Sequence, residues 1–195
     1  LQKQIAEWMF DSHIVKIILE AVQVLSTAKR LVDPDDPICQ PTQSTLADPN
    51  RPLLAEPHLY KIAHKNHPVT IWVRQSQQNY IWTLILVYEM HKEWRYRFGH
   101  TKEEYHKSFL VAGQLLKHMP SADKFPQQGL TPFAQAMPEE YKVPGDPVKA
   151  YQQYYMSPQK SHLLKWTKRE RPEFFNVINL CLIFCFISLI FSSSI

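Results

Sequence analysis

The chain of 195 residues is long enough for one folded domain with an appendage. Its 45% hydrophobic and 21% charged residues exclude a chain that is disordered throughout. Only four glycines are present, which argues against a turn-rich β-sandwich and a glycine-rich phosphate loop. The three cysteines have no CxxC spacing, which argues against a disulfide framework or a cysteine zinc site and predicts an intracellular, reducing compartment (cytoplasm or nucleus).

Helical signals fill the first half of the chain. Residues 5–32 contain no Pro or Gly and stop at DPDDP, which predicts one long helix. Residues 33–63 hold six prolines without a hydrophobic period, which predicts a long surface loop or insertion. Pro68 then suits the first turn of a second helix, which is predicted to run to Phe98 and to end at Gly99.

The second half continues in the same way. Thr101 and Glu104 have the spacing of a capping box, which predicts a third helix ending before residue 120. Asp146-Pro147 predicts a short helix through Met156, and Ser157-Pro158 predicts a last helix to about residue 167. The fold class predicted is all-α: residues 1–175 as one compact bundle of four to five helices with long Pro-rich loops.

Residues 176–195 form a hydrophobic C-terminal extension. The run of 18 residues from Phe174 to Phe191 carries no charge but includes two asparagines and a serine. A membrane-spanning helix needs roughly 20 apolar residues. The extension is therefore either a membrane tail anchor behind a basic flank or an untypical addition to a domain that ends near Phe175, and we favour the second interpretation.

A stripe of polar side chains runs along the first predicted helix. At 100° per residue its members share a sector of roughly 80°; they are His13, Lys16, Glu20, Gln23 and Thr27. The stripe is either a solvent-facing strip or the lining of a cleft. In a cleft, His13, Lys16 and Glu20 would be catalytic, with the carboxyl as general acid or base and the lysine as an amine nucleophile.

The turn HKNHP is a candidate phosphate site, because backbone N–H groups at a helix start favour anions. Its polar residues, His64, Asn66 and His67, are predicted to contact nucleic acid. The alternative is that Asn66 or His67 only caps the helix. No third ligand is in register with the two histidines, so no metal site is predicted, and no cofactor is predicted.

The helix that follows adds further candidates. Trp72 and Asn79 share one face that mixes aromatic and polar side chains, although most of its aromatic residues are expected in the core. Arg95 and Arg97 bring cations to its end. All four are assigned to the same predicted nucleic-acid surface.

The net charge is concentrated near the C-terminus. The basic stretch, residues 160–171, has five basic residues and one acidic residue, so it carries the whole formal charge of +4. Cations beside an aromatic ring suit a phosphate backbone and an unstacked base. Lys165, Trp166, Lys168 and Arg169 are therefore predicted to contact DNA; the alternative is a solvated helix end.

Several segments together resemble a family of small phage and virus proteins. They are DSHIVKIILEAVQVLSTA, HKNHPVTIWVRQSQQNYIW, YRFGHT, TPFAQAMPEEYKVPGDPVKAYQQYY and KWTKRERPEFF. The resemblance covers most of residues 11–175 and implies a domain that ends at the PEFF segment. It implies no particular chemistry, because the family is mostly uncharacterised.

A more distant resemblance concerns the start of the first helix. Asp11, His13 and Glu20 have the spacing found in the phage pyrimidine-dimer DNA glycosylase family (endonuclease V). That resemblance implies a small all-α enzyme that excises a base through a Schiff-base intermediate, with Glu20 as the acid or base. The family nucleophile is the N-terminal amine. Since this chain begins at Leu1, three alternatives are open: the amine comes from a native start upstream, it comes from Lys16, or the activity is absent.

Three functions are open from the sequence. The first is a DNA repair or base-processing enzyme in which Glu20, His13 and Lys16 act on an unstacked base. The second is a helical nucleic-acid-binding module without catalysis. The third is a tail-anchored protein whose basic stretch touches anionic lipid. DNA is the predicted partner, and a membrane is a partner only through residues 176–195.

Overall fold

The structure is a computed structural model that describes residues 1–40 and 58–176. The predicted all-α class is confirmed. The described residues contain six α-helices, α1 (Gln2–Trp8), α2 (Asp11–Val32), α3 (Pro68–Val73), α4 (Gln77–Phe98), α5 (Lys107–Lys117) and α6 (Pro147–Tyr155), together with short 3-10 segments.

α2 and α4, each 22 residues long, form the centre of the bundle. α4 packs against α1, α2, α3 and α5, and α2 also contacts α3 and α5. Their fully buried side chains include Ile14, Ile18, Val22 and Leu25 from α2 and Tyr80, Val87 and Met90 from α4. Burial of one such apolar side chain contributes roughly 1.5–3 kcal/mol, so this seam is the main source of stability.

The predicted single helix over residues 5–32 is wrong, because the chain forms α1 and α2 with a break at Met9 and Phe10. Both residues have extended backbone, with ψ of 145° and 155°. Packing imposes the break: Phe10 is fully buried, with its ring stacked on that of Tyr155 (centroids 4.5 Å apart) and tilted against that of Trp166 (5.2 Å). No Pro or Gly in the sequence marks it.

The predicted helix over residues 68–98 is also divided, here into α3 and α4. Ser76 caps the start of α4, since its Oγ accepts a hydrogen bond of 3.1 Å from the backbone N–H of Asn79. The carbonyl oxygen of Gln75 accepts from the backbone N–H of Gln127 at 2.9 Å. A later loop therefore fills the gap between the two helices.

Two helix boundaries are confirmed. α4 ends at Gly99, whose φ of 73° is a left-handed conformation that glycine adopts without strain. α6 starts as predicted, with Asp146 accepting from the backbone N–H of Lys149 at 2.9 Å and Pro147 in the first turn. Met156 is its C-cap.

Two predicted helix starts are wrong. The Glu104 carboxylate accepts from the backbone N–H of Thr101 at 2.7 Å, yet this pair closes a turn, and the helix starts only at Lys107. His106 caps α5 instead, accepting from the backbone N–H of Ser108 at 3.3 Å. Ser157 makes no side-chain cap, and only a 3-10 segment, Pro158–Leu163, follows it.

The described ends of the Pro-rich loop are tied to the end of α2. Lys29 is fully buried and donates to Asp33 at 2.6 Å and to Asp36 at 2.8 Å. Arg30 donates to three carbonyl oxygens, those of Cys39, Leu59 and Tyr60. Residues 41–57 of the predicted loop lie outside the described residues.

The C-terminal extension also lies almost wholly outside them, since only Asn176 of residues 176–195 is described. Among residues 1–40 and 58–176, none of the helices has the length and apolar character needed to cross a membrane. The tail-anchor interpretation concerns the other residues and stays a prediction.

Arg97 on α4 joins the start of the chain to the centre of the bundle. Arg97 is 1% exposed, and all five N–H donors of its guanidinium are used. The acceptors lie at 2.7–3.3 Å and are the carbonyl oxygens of Ala6, Glu7 and Met9 and the carboxylates of Asp11 and Glu93. The carbonyls are those at the C-terminal end of α1, where the helix dipole favours a cation.

The two carboxylates extend this buried cluster to the basic stretch. Asp11 accepts from the hydroxyl of Thr167 at 2.7 Å, and Glu93 accepts from two nitrogens of Arg169 at 2.8 and 2.9 Å. Burial alone would raise the pKa of Asp11 and of Glu93, but these hydrogen bonds and those from Arg97 outweigh it and lower both pKa values. Both groups are therefore ionised at neutral pH, which keeps the cluster intact.

Replacement of Arg97 by Met tests how much this cluster stabilises the fold. The change leaves Asp11 and Glu93 buried without their central cation, and loss of one partner of a buried ion pair costs about 3–5 kcal/mol. We expect a fall of that size in the free energy of unfolding, measured by urea denaturation followed by far-UV circular dichroism. Arg171→Met, at an exposed arginine, is the control and should change it by about 0.5 kcal/mol or less. A loss below about 1 kcal/mol for Arg97→Met would contradict the analysis.

A second buried polar group on α4 has no comparable partners. His91 is 2% exposed, and neither ring nitrogen has a hydrogen-bond partner among the described residues. Its ring stacks on Phe109 with centroids 3.8 Å apart and also lies beside Trp94 and Tyr105. Burial, together with the nearby Arg95 charge, lowers the pKa of His91 to about 4.

Acid should therefore destabilise the fold through His91. Between pH 6.5 and 4 the unfolded chain binds a proton at this histidine that the folded chain does not, so the free energy of unfolding falls as the pH falls. His91→Phe keeps an aromatic ring in the stack and should make this fall shallower. The measurement is urea unfolding at a series of pH values, with His162→Phe as the exposed control. An unchanged slope in His91→Phe would rule out this source of acid sensitivity.

Candidate functional site

His13 lies in the first turn of α2, next to the buried Phe10. Its Nδ1 is 2.7 Å from the hydroxyl of Tyr155, the last residue of α6. Burial, together with the charges of Lys160 and Lys16, lowers the pKa of His13 to about 4, and the charge of Glu20 opposes this shift. His13 is therefore an uncharged imidazole at neutral pH, fixed in orientation by one phenol.

Lys16 and Glu20 form an ion pair one turn further along the same face. The Lys16 ammonium lies 3.2 Å from the Glu20 carboxylate, and the side chains are 69% and 46% exposed. A pair this exposed contributes little to stability, about 0–1 kcal/mol. The structure thus places the predicted acid at the surface, where a large substrate can reach it, rather than in a deep cleft.

The polar stripe is open only along its first half. Thr27, at its far end, is fully buried. Its hydroxyl donates to the carbonyl oxygen of Ala63 and accepts from the backbone N–H of Ala63, each at 3.0 Å. His13 and Tyr155 bound the other end. The accessible part is therefore short and centres on the Lys16–Glu20 pair.

Two members of this site were missed from the sequence. Tyr155 lies 142 positions from His13 in the sequence, so no local spacing predicts the contact. Lys160 lies on the 3-10 segment after α6, with its ammonium 4.7 Å from the ring centroid of Tyr154, and its charge acts on His13. The only signal was that Lys160 belongs to the basic stretch.

These four groups define the α2 site: His13, Lys16, Glu20 and Lys160, with Tyr155 as the support of the imidazole. The site offers a neutral imidazole, with a carboxylate and two amines whose charges act on it. Such a set can accept, donate and relay protons, and a deprotonated lysine is a nucleophile towards a carbonyl-like carbon.

The turn before α3 stays at the surface. His64, Asn66 and His67 are all exposed, and His64 has a positive φ of 50°. His67 caps α3, accepting from the backbone N–H of Val69 at 3.3 Å, as the helix-cap alternative predicted. Contact of these residues with nucleic acid stays a prediction.

Trp72 and Asn79 lie inside the protein, so we remove them from the predicted nucleic-acid surface. Trp72 is 5% exposed and its ring stacks on Phe133, with centroids 4.9 Å apart. Asn79 is fully buried and bonds on both sides of its amide to Thr131, at 2.6 and 3.0 Å. Both residues hold the loop after α5 against the α3–α4 junction.

The two arginines at the end of α4 have structural partners. Arg97 belongs to the buried cluster described above and has no free donor, so we remove it as well. Arg95 donates to the carbonyl oxygens of Lys102 and Glu104, at 2.6 and 2.9 Å, and its guanidinium lies 4.4 Å from the ring centroid of Tyr105. It holds the turn between α4 and α5 while remaining near the surface.

The basic stretch is largely built into the fold. Arg169 is neutralised by Glu93 and by Glu7, the latter at 3.2 Å. Lys168 donates to a carbonyl oxygen of α4 at 2.8 Å, and the Trp166 indole donates to the last carbonyl of α1 at 2.9 Å. Lys165 projects into solvent. The stretch therefore attaches the C-terminal segment to α1 and α4. Fewer of its cations are available to a ligand than its composition indicated.

No protein-family model, curated protein or solved structure matches the chain. Within residues 1–40 and 58–176 no group of three or more His, Cys, Asp or Glu side chains is arranged to hold a metal ion.

The charges around His13 can be checked by titration. In a ¹H–¹³C NMR titration the His13 ring should change protonation near pH 4. Lys16→Gln and Lys160→Gln each remove a cation and should raise that midpoint, whereas Glu20→Gln removes the opposing carboxylate and should lower it. Lys149→Gln, at an exposed position on the same helix as Tyr155, should leave it unchanged. Shifts in the same direction for Lys16→Gln and Glu20→Gln would contradict the geometry.

Proposed function

We propose that the protein acts on DNA at the α2 site, as a base-processing enzyme of the DNA N-glycosylase and AP lyase type. One observation carries the proposal. A neutral imidazole, held by a phenol, stands on the same exposed face as a lysine and a carboxylate that are 3.2 Å apart. These are the groups that a reaction needs to transfer protons while an amine attacks a sugar carbon.

The proposed reaction uses all three side chains, with Glu20 acting first as a base and then as an acid. Glu20 takes a proton from the Lys16 ammonium, and the free amine attacks C1′ of the deoxyribose as the bond from C1′ to the base breaks. The base leaves with the electron pair and takes a proton from Glu20. The nitrogen then loses a proton to His13, which is uncharged at neutral pH. Its lone pair forms the C=N bond as the C1′–O4′ bond breaks, and the ring oxygen leaves with the electron pair and takes the proton from His13. The products are a protonated Schiff base and a free 4′-hydroxyl.

The exposure of the site suits a duplex substrate. A base inside a duplex has to be unstacked before its sugar can be attacked, which requires a surface that follows the backbone. Lys160 at the site and Lys165 nearby in the chain are exposed or half-exposed cations available to phosphates. The turn with His64, Asn66 and His67 is a further exposed candidate.

Trapping of the Schiff base tests the proposal. The chain, incubated with duplexes that contain damaged bases or an abasic site, should give a covalent adduct with borohydride. Glu20→Gln should reduce strand cleavage by about 100-fold or more, the usual scale for a lost general acid or base. Glu103→Gln, at another exposed carboxylate, should cleave like the wild type.

Lys16→Gln identifies the amine. Loss of the adduct in Lys16→Gln assigns the nucleophile to Lys16, and persistence assigns it to another amine. A folded protein that gives no adduct and no cleavage across a panel of lesions would overturn the enzyme proposal.

A second candidate is a nucleic-acid-binding module without catalysis. It is favoured by the exposure of the Lys16–Glu20 pair, since each charge already has its partner and neither is desolvated. Such a module would bind duplexes in a salt-dependent way, yield no adduct, and be unaffected in affinity by Glu20→Gln to within about twofold.

A further inference from the structure

Packed rings join the second half of α4 to the start of α5. Three of them are imidazoles, and together with their aromatic partners they form the histidine cluster: His91, Trp94, His100, Tyr105, His106 and Phe109. The ring of His91 stacks on that of Phe109, with centroids 3.8 Å apart, and the ring of Trp94 stacks on that of His100 at 3.6 Å. His106 meets Trp94 edge-on at 5.7 Å. These contacts hold the turn between the two helices against α4.

The position of His91 suits only an uncharged ring. His91 is buried, and neither of its ring nitrogens has a hydrogen-bond partner among the described residues. An imidazolium carries a full charge and an N–H on each nitrogen, and a buried charge without partners is costly. Burial is the main cause that lowers the pKa of His91 to about 4, and three nearby cationic or titratable groups act in the same direction: Arg95, His106 and His100.

His106 requires the uncharged form for a different reason. Its Nδ1 accepts the hydrogen bond that caps α5, from the backbone N–H of Ser108 at 3.3 Å, so this nitrogen carries no proton. Protonation places an N–H at Nδ1 and removes the cap. Burial lowers the pKa of His106, and a hydrogen bond to the backbone of Val15 on α2 opposes the shift. The closed arrangement of α5 therefore depends on a neutral His106.

The third imidazole responds to acid in the opposite way. Nδ1 of His100 lies 3.2 Å from the Glu104 carboxylate, and the His100 side chain is 29% exposed. Protonation of His100 completes an ion pair within the turn. The charge of His100 also acts on His91, so acid adds a cation beside the buried ring.

We propose that the histidine cluster is an acid-sensitive switch that releases the start of α5 from α4 while the rest of the bundle stays folded. Protonation of His91 and His106 favours the open form, because both rings then reach water and the cap of α5 is lost. Opening exposes more of the rings of Trp94 and Phe109, which are half-buried in the closed form. The switch is independent of the proposed reaction, since it uses no residue of the α2 site.

The buried cluster around Arg97 keeps its charges over the same pH range. Hydrogen bonds from Arg97 and from the basic stretch lower the pKa values of Asp11 and Glu93 despite their burial. Both carboxylates therefore stay ionised at pH 5. This is why acid should open the start of α5 without opening the junction of α1, α2 and α4.

Native-state hydrogen exchange of the full chain at pH 7 and pH 5 tests the switch. The reporter is the backbone amide of Phe109, which donates to the carbonyl oxygen of His106 at 2.8 Å. With a pKa of about 4 in the closed form and the ordinary 6.5 in the open form, His91 alone should raise the opening constant of this amide about 20-fold between the two pH values. His106 should raise it further. The amides of the α2–α4 seam should stay better protected than that of Phe109 at pH 5.

Variants separate the contributions of the two imidazoles. His91→Phe keeps an aromatic ring in the stack and should remove the 20-fold part of the response. His106→Asn keeps a side chain that caps a helix and should remove the rest. His162→Asn, at an exposed histidine, is the matched control and should keep the full response.

Four results would overturn the proposal. The first is an opening constant for the Phe109 amide that is equal at pH 7 and pH 5. The second is exchange of this amide at pH 5 with the same free energy as the α2–α4 seam, which would mean that the fold opens as a whole. The third is protection that rises with acid, which would show that the aromatic rings stabilise a charged imidazole. The fourth is a full response in both His91→Phe and His106→Asn.

Discussion

The guanidinium of Arg97 is the constraint from which the arrangement of this protein follows. A buried arginine is tolerated only when its charge is matched and its donors are all used. Here five acceptors from α1, from the start of α2 and from α4 itself meet that requirement. Because no subset of these elements can satisfy the group alone, their relative positions are fixed together.

This constraint also sets the position of the α2 site. Asp11 binds Arg97 and Thr167, and His13 lies two residues further along the same helical turn. Phe10, placed between the cluster and the site, packs on Tyr155, which in turn holds His13. The imidazole is thus oriented through Tyr155, whereas Lys16 and Glu20, one turn away, face solvent.

The sequence predicted the features that depend on local chemistry. The all-α class, the glycine end of α4 and the Asp-Pro start of α6 follow from patterns over a few residues. The break at Met9 and Phe10 could not be predicted, because its cause is the packing of Phe10 on Tyr155 and Trp166, which lie far later in the chain. The same applies to Arg97, Trp72 and Asn79. The sequence shows a charge, an aromatic ring and an amide, but only the packed structure shows that these groups bind other residues inside the protein. His13, Lys16 and Glu20 do share one face as the periodicity predicted, whereas the support from Tyr155 was not foreseeable.

The most direct test of this account is native-state hydrogen exchange. The amide of Asp11 bonds to the carbonyl of Lys165, and that of Thr167 bonds to the Asp11 carboxylate, so both report on the junction held by Arg97. If the cluster makes one cooperative unit, these amides should exchange only by global opening, with the same free energy as the buried seam of α2 and α4. Exchange of Asp11 and Thr167 at a much lower free energy, while α2 and α4 stay protected, would contradict the account.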